Sequence, residues 1–437
     1  MSIAADGSAS SWYKLDNAAK IYPVLRGSRH ITIFRLQAVL RENVVPEILQ
    51  TALDRTLARF PYFNVGLRQG FFWYYLEGCT HALKIEPDVA NPLRPFNKRE
   101  LGRNLLRVRY GERLIAVEYF HSLTDGYGGG VFLKTLVGVY LQLCGREVQP
   151  GNGFRAVDEP PLPAEAEDAY KRHSTLRSVR RPGAPAAFHV HGTPFIGHRL
   201  RIITGVIPVK AIHAKAKTYG VSITELLTAC YLEQLYKIQQ NVAKTERQRN
   251  LPVVVSVPVN VRSFFPTDTL RNFSLYATPG IEPANGVYTF EEILKSVHHF
   301  MRYTVTRKYL SVLMGANVNS EKSMVLRLTP LPLKVLAMRA VYVIVGESRF
   351  TSSLSNLGAT AIPAGFEQFV ERFDFLLGPS RVNTVNCGVI SFNDRLSISF
   401  TSTIRETEVE RALFTRLVSL GIPVQTLSNH LPNGSPA

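Results

Sequence analysis

The chain contains 437 residues, 45% of them hydrophobic and 19% charged, a balance that indicates globular domains rather than a disordered chain. A chain of this length predicts about two domains. Its formal net charge of +17 could serve a nucleic-acid, membrane-surface or other acidic partner, but the basic residues are dispersed and no nucleic-acid-binding motif is present. We therefore predict no nucleic-acid partner.

Targeting and redox features are also few. The most apolar window, residues 335–345, is shorter than the ~20 residues of a spanning helix and contains Arg339. The first eleven residues lack the basic and apolar regions of a signal peptide. We therefore expect no transmembrane segment and a cytoplasmic protein. The four cysteines are too far apart in sequence to predict a zinc site or a disulfide framework: Cys79, Cys144, Cys230 and Cys387.

The first half of the chain predicts strands interrupted by two helices. Residues 46–59 carry an apolar stripe at helical spacing, with a proline in the first turn and another just past the end. A polar turn is predicted at residues 121–130, followed by a largely apolar helix at residues 131–143. Strands are predicted at residues 31–36, 71–76, 103–110 and 114–120.

The second half predicts a further α/β unit. Prolines and charges crowd residues 150–194, which suggests a crossover between domains with one short helix near residues 164–179. Ser222 and Glu225 have the spacing of a capping box, which predicts a helix start at residue 223. Strands are predicted at residues 199–208, 252–261, 348–355, 383–392 and 396–403. Helices are predicted at residues 209–218, 223–240, 290–309, 332–338 and 406–420.

These elements divide the chain into three parts. We predict an N-terminal subdomain at residues 1–160, a crossover linker at residues 161–195 and a C-terminal subdomain at residues 196–437. The fold class is α/β with mixed sheets.

His121 is the first candidate functional residue. It lies where an apolar strand enters a glycine-rich segment, a position that suits a catalytic group, and histidine can act as a base near neutral pH. A buried histidine with one backbone hydrogen bond is the alternative. Asp125 and the glycines at positions 126, 128, 129 and 130 favour a ligand site, although their spacing excludes a dinucleotide-binding loop.

The segment His121-x-x-x-Asp125-Gly126 resembles the active-site motif HxxxDG of the chloramphenicol-acetyltransferase-like superfamily, which includes condensation domains and BAHD-type plant acyltransferases. Residues 52–61 also resemble the first helix of that superfamily. Residues 257–262, 269–273 and 355–358 resemble its alcohol acetyltransferase branch. Many relatives have two consecutive histidines, whereas Phe120 precedes His121 here.

The resemblance implies two chloramphenicol-acetyltransferase-like subdomains with an active-site tunnel between them. His121 would be the general base that takes a proton from a hydroxyl or amine as it attacks a thioester. Asp125 would pair with an arginine, for which Arg262 is the candidate, because a buried carboxylate needs a partner. Gly126 is assigned to the geometry of the turn.

An oxyanion donor and two substrates complete the expected site. The candidates for oxyanion or substrate contact are Ser353, Ser355 and Asn356, with Asn356 favoured. We expect no metal and no bound cofactor, with acyl-CoA or an acyl-carrier protein as co-substrate. The favoured activity is O-acyl transfer from acyl-CoA. The alternatives are a carrier-protein-dependent or condensation-type enzyme forming an ester or amide, and a catalytically silent binding protein. The chain length is compatible with a monomer.

Overall fold

The computed structural model describes residues 12–26, 31–174, 185–197, 199–320, 324–342, 346–359, 361–380 and 382–429. Its strands are β1 Trp12–Lys14, β2 Ile33–Leu40, β3 Val65–Gln69, β4 Tyr74–Gly78, β5 Glu86–Pro87, β6 Leu106–Gly111, β7 Leu114–Phe120, β8 Arg201–Pro208, β9 Val253–Asn260, β10 Ser274–Ala277, β11 Gly280–Ile281, β12 Ser352–Ala359, β13 Val370–Leu377, β14 Val385–Phe392, β15 Arg395–Ser402 and β16 Gln425–Ser428. Its helices are α1 Ile21–Leu25, α2 Pro46–Arg59, α3 Lys98–Leu101, α4 Gly126–Leu143, α5 Ala169–His173, α6 Val209–Thr218, α7 Ile223–Val242, α8 Glu246–Arg249, α9 Phe290–Thr304, α10 Arg307–Ser320, α11 Met324–Leu328, α12 Leu331–Val341, α13 Phe366–Phe369 and α14 Glu408–Ser419.

The N-terminal half is built on a five-stranded sheet in the order β13-β2-β7-β6-β5. Helices α2 and α4 pack together, and α4 lies against β2 and β7. On β2, apolar side chains recur every second residue from Phe34 to Leu40, whereas β7 is apolar at every position except Glu118. Both strands form one core with these helices. A smaller sheet, β1-β4-β3, flanks this half.

The C-terminal half is built on an eight-stranded sheet in the order β10-β9-β12-β14-β15-β8-β16, with β11 paired to β9. β12 pairs in parallel with both β9 and β14, whereas the other pairs are antiparallel, so the sheet is mixed. Helix α7 packs against α9 and α14 and forms a second core with the sheet. In the N-terminal sheet β5 pairs in parallel with β6, whereas the other pairs are antiparallel, so both halves are α/β with mixed sheets, as predicted.

Several predicted elements agree closely with the structure. The helices predicted at residues 46–59 and 209–218 and the strand at residues 114–120 have the predicted bounds. Ser222 and Glu225 form the expected capping box of α7. Other predictions differ from the structure: residues 71–73 form a turn, and the helix predicted at residues 290–309 is interrupted between α9 and α10. Strand β13 was not predicted.

The predicted boundary between the halves does not separate the two sheets. β13 belongs to the predicted C-terminal part, yet it pairs along its length with β2 of the N-terminal sheet. Its apolar residues recur every second position, at Phe373 and Phe375 on one face, and the cavity between the halves lies beside them. A strand of the C-terminal part therefore completes the N-terminal sheet.

The segment predicted as a linker is docked on the protein as far as residue 174. It forms a 3-10 turn at Pro163–Ala166 followed by α5. The Glu165 carboxylate makes a buried ion pair with Arg59 at 2.8 Å, and its backbone oxygen accepts from the amide of Leu270. A helix was predicted at residues 164–179, and the part of it after residue 174 lies outside the described residues.

Among the described residues, none of the helices is both long enough and apolar enough to cross a lipid bilayer.

Candidate active site

His121 lies between the end of β7 and the start of α4. Its backbone amide donates to the Thr32 oxygen at 3.0 Å, which continues the pairing of β7 with β2 for one more residue. The imidazole stacks on the Tyr22 ring, with centroids 4.3 Å apart, and meets the edge of Phe34 at 5.0 Å. The ring is thus held between two aromatic side chains, and His121 lines the cavity between the halves.

The tautomer of His121 follows from the hydrogen bonds of Asn272. The Asn272 amide nitrogen donates to the His121 backbone oxygen at 3.0 Å and to the Asp16 carboxylate at 3.3 Å. Because both partners are acceptors, the amide oxygen must face the imidazole, where it lies 3.0 Å from Nδ1. Nδ1 therefore carries the proton and donates it to this oxygen. The basic lone pair is then on Nε2.

Asp16 anchors Asn272. Its carboxylate accepts from the Ala19 amide at 2.8 Å and lies 3.5 Å from the Arg271 guanidinium. Burial raises the pKa of Asp16 to about 6, against the opposing effect of Arg271. Above that pH, Asp16 is a carboxylate and holds the Asn272 amide group in the orientation that fixes the imidazole.

Burial lowers the pKa of His121 below its ordinary value of 6.5, and hydrogen bonds and Asp125 only partly offset this effect. The ring is therefore neutral at pH 7. A neutral imidazole with a fixed tautomer is the form that a general base requires.

Asp125 contacts other groups than the His121 ring. Its carboxylate accepts from the amides of Gly128 at 3.0 Å and Phe273 at 2.8 Å, and it lies 2.8 Å from the Arg262 guanidinium. Arg262 also donates to the backbone oxygens of Thr269 and Arg271. The arginine expected to pair with Asp125 therefore does so, and both side chains are buried. The pair joins the start of α4 to the segment that follows β9.

The glycine-rich segment is a helix start, which corrects the predicted turn at residues 121–130. Helix α4 begins at Gly126, with the Asp125 side chain as its N-cap. A Cβ on Gly126 would lie 2.5 Å from Leu357, and a Cβ on Gly128 would lie 1.9 Å from the Leu270 oxygen. These glycines therefore let the second half pack closely on the first turn of α4, and Gly126 is not a turn residue.

Phe120 stands where many relatives have the first of two consecutive histidines, and here this position belongs to the core. Phe120 is 1% exposed and meets the edge of Phe96 at 6.3 Å between ring centroids. A histidine at this position would be buried in apolar surroundings. His121 is thus the histidine of this segment that faces the cavity.

The cavity between the halves has a volume of about 1320 Å³ and receives side chains from both. His121, Phe34 and Asp125 contribute from the N-terminal half, and Ser353 and Asn356 from the C-terminal half. Its walls are largely apolar, which suits an acyl chain or an apolar acceptor. Among the described residues, no cluster of three or more His, Cys, Asp or Glu side chains is placed to hold a metal ion.

The three oxyanion candidates lie on β12 at the cavity but differ in their contacts. The Asn356 amide nitrogen donates to Thr224 at 2.9 Å and its oxygen accepts from the Gly358 amide at 2.8 Å, so both ends are engaged in the protein. Ser353 makes a long contact with the Ser256 oxygen at 3.3 Å. Ser355 lines the cavity on the same face of the strand as Ser353. These contacts favour Ser355 over Asn356.

Sequence reasoning missed Asn272, Asp16 and Tyr22 as parts of the site. Asn272 lies within a segment that resembles the alcohol acetyltransferase branch, and this was the signal that could have identified it. Asp16 and Tyr22 belong to no recognisable sequence motif. Tyr22 reaches His121, and Asp16 reaches Asn272, because the N-terminal segment packs beside the start of α4.

Solved structures with the same architecture extend over nearly the whole chain. Polyketide synthase associated protein 5 from Mycobacterium tuberculosis has a TM-score of 0.62 at 14% identity, with 94% of this chain and 99% of that chain covered. The trichothecene 15-O-acetyltransferase from Fusarium sporotrichioides has a TM-score of 0.59 at 12% identity, with 95% and 96% covered. The chain has the chloramphenicol-acetyltransferase-like fold.

A third structure with this fold is the first condensation domain of the calcium-dependent antibiotic synthetase, with a TM-score of 0.57 at 16% identity and 94% and 96% of the two chains covered. No protein-family model matches the sequence. No curated protein matches it either. The chloramphenicol-acetyltransferase-like fold thus rests on the three-dimensional arrangement, which persists at low identity.

Proposed function

We propose that the protein is an acyltransferase that moves an acyl group from acyl-CoA to a hydroxyl acceptor, with His121 as the general base. The observation that carries this proposal is the hydrogen bond from His121 Nδ1 to Asn272, which leaves Nε2 as the basic atom in a residue that lines the cavity. The fold is shared with a trichothecene acetyltransferase and with condensation domains, which supports acyl transfer as the reaction class.

The proposed reaction uses one proton and no enzyme-bound acyl group. The acceptor oxygen attacks the thioester carbonyl carbon while its proton passes to His121 Nε2. The tetrahedral oxyanion then collapses, the carbon–sulfur bond breaks, and the thiolate takes the proton back from Nε2. Asn272 holds the ring in one orientation through both transfers, so the site needs no reorganisation between them.

Ser355 is the proposed donor to the tetrahedral oxyanion. Its hydroxyl can rotate toward a developing negative charge, and the residue lies on the cavity wall opposite the half that carries His121. Ser353 is two residues away on the same face of β12 and is the second candidate. Asp125, Gly126 and Arg262 are proposed to be structural, because their contacts join α4 to the C-terminal half.

Lys134 supports a negatively charged donor. It lines the cavity and donates to the Asn152 oxygen at 2.6 Å. Burial and the nearby Arg155 lower its pKa to about 8, so the amine is still mainly charged at pH 7. One part of the cavity is therefore positive, as the phosphates of CoA would require.

The direct test is thioester turnover with defined donors and acceptors. The purified protein would be given acyl-CoAs from acetyl to palmitoyl with a panel of alcohols and amines, and free thiol would be followed. We expect thiol release that depends on an alcohol, with an ester detected by mass spectrometry. An amide product, or turnover only from an acyl-carrier protein, would favour the condensation-type alternative. No turnover from either donor would contradict acyl transfer.

The pH dependence should report the buried imidazole. Because burial lowers the pKa of His121, its neutral form persists below pH 6.5, and the acidic limb of the kcat/KM profile should lie below that value. Asn272→Ala removes a hydrogen bond that favours the protonated ring and fixes its tautomer. We expect this variant to lose about 10²-fold in kcat and to shift the limb to lower pH. A parental limb well above pH 6.5 would argue against His121.

A further inference from the structure

Helix α12 has a second apolar face on its solvent-exposed side. Its exposed positions include Leu333, Leu336 and Val341, which are 61%, 69% and 58% exposed. With Ala337 and Ala340, they follow the spacing i, i+3, i+4, i+7 and i+8 of one helical face. A surface helix normally turns such a face toward the core. Helix α12 has such a face toward the core, at Leu331 and Val335, and a second apolar face turned to the outside.

The inner face of α12 contains the lysine. Lys334 is 7% exposed, donates to the Phe72 oxygen at 3.0 Å and lies 5.0 Å from the Trp73 ring. Arg339 donates to the Val24 oxygen at 2.8 Å, which ties the helix to α1. These polar contacts, together with the packing of Leu331 and Val335 on the core, fix the orientation of the helix and leave Leu333 and Leu336 facing outward.

Exposed apolar side chains also occur on the turn beside α12 and on α11, which precedes it in the chain. The turn between β3 and β4 presents Phe71 and Phe72, which are 71% and 45% exposed. The Phe71 oxygen accepts from the Leu331 amide at 3.1 Å, so this turn adjoins the first turn of α12. On α11, Met324 and Leu328 are 62% and 63% exposed and lie four residues apart, on one face. We call these residues of α11, α12 and the turn the apolar platform.

The charge around the platform is positive. Residues 307–346 contain six basic residues and one acidic residue, Glu321. Arg327 and Arg339 are exposed on α11 and α12, between the apolar positions. Exposed leucine and phenylalanine beside arginine is the pattern of helices that lie in the interface of a bilayer containing anionic lipids. A protein partner would need a matching acidic surface, whereas an anionic bilayer supplies both the charge and the apolar phase.

We propose that the apolar platform docks the protein on the surface of an anionic lipid bilayer. The 11 residues of α12 are too few to span a bilayer, so the helix would lie along the interface with its leucines below the headgroups. The two phenylalanines at the turn between β3 and β4 would enter beside it, and Arg327 and Arg339 would meet the phosphates. The net charge of +17 would favour the same orientation through long-range attraction.

The platform is one element away from the candidate active site. Helix α12 packs on α1, and Tyr22 of α1 stacks on His121. Tyr342, which follows α12, lines the cavity. Docking would place the cavity next to the bilayer. The acceptor would then be an amphiphile that partitions into the bilayer, an inference that rests on the proposed function.

The test measures vesicle binding in the absence of any substrate, so its outcome does not depend on turnover. The full-length protein would be sedimented with vesicles of phosphatidylcholine containing about 30% phosphatidylglycerol, and with pure phosphatidylcholine. The test variant is Leu333→Ser with Leu336→Ser. The control is Ile196→Ser with Val287→Ser, which changes two exposed apolar residues outside the platform. We expect the control to bind like the parent and the test variant to bind at least about tenfold more weakly.

Three results would overturn the proposal. The parent could remain in the supernatant with anionic vesicles, or the test variant could bind as tightly as the parent. The parent could also be a dimer by light scattering that the two serines dissociate, without vesicle binding, in which case the platform is an interface between two copies. Because both leucines are exposed, the test variant should keep the parental unfolding midpoint, which excludes misfolding as the cause of lost binding.

Discussion

The His121→Ala protein is expected to turn over thioester about 10²–10⁴-fold more slowly than the parent, with little change in stability. The range is that of a general base removed from a reaction whose other components stay in place. The ring faces a cavity, so its loss enlarges existing space and does not open a void in the core. The measurement is kcat with the best acyl-CoA and alcohol pair, together with the urea unfolding midpoint.

A matched histidine makes this result specific. His213 is exposed on α6, and His213→Ala should keep parental kcat and stability. If His121→Ala kept kcat within tenfold of the parent, another group would have to accept the proton. If it lost activity together with its folded structure, the aromatic stacking of His121 on Tyr22 would be structural, and the assignment as base would lose its support.

Asp125→Ala is expected to destabilise the protein by about 3–5 kcal/mol, because it leaves the Arg262 guanidinium buried without its carboxylate. The substitution also removes the N-cap of α4 and the acceptor for the Phe273 amide. This loss is a large part of the 5–15 kcal/mol that ordinarily separates folded from unfolded proteins. The measurement is the free energy of unfolding in urea, with kcat determined at a temperature where the variant is still folded.

Two further variants separate charge from capping. Asp125→Asn retains a good N-cap and loses the charge, so it should fall between the parent and Asp125→Ala. Glu42→Ala removes a carboxylate that pairs with Arg146 at 2.7 Å on the exposed surface, and it should change stability little. A fully stable Asp125→Ala protein with no activity would instead assign Asp125 a role in the chemistry.

The local periodicity of the chain predicted most of the elements around the site. β7 was predicted because it is a short, nearly continuous apolar run, and α2 because its apolar residues repeat at the spacing of an amphipathic helix. The start of α4 was not predicted, because four glycines in ten residues are unfavourable for a helix interior. There the close approach of Leu270 and Leu357 outweighs helix propensity, and that approach exists only in three dimensions.

The candidate site was predicted in part. His121, Asp125 and Arg262 belong to motifs, and the structure brings the last two together. Asn272 is 151 residues from His121, and Asp16 is 256 residues from Asn272, so neither contact leaves a local pattern. The sequence also did not show which face of α12 is exposed to solvent, because periodicity identifies an apolar face of a helix but not whether that face points inward.

The position of β13 has a consequence for the synthesis of the chain. In the part of the chain that the structure describes, β2 pairs with β7 on one side and with β13, 337 residues later, on the other. While the ribosome is still translating the intervening residues, β2 is an edge strand whose unpaired amides and carbonyls can recruit another chain. The first half of the protein therefore cannot reach its final state before nearly all of the polypeptide has been made. Until β13 has been synthesised, this edge is therefore open to pairing with another chain.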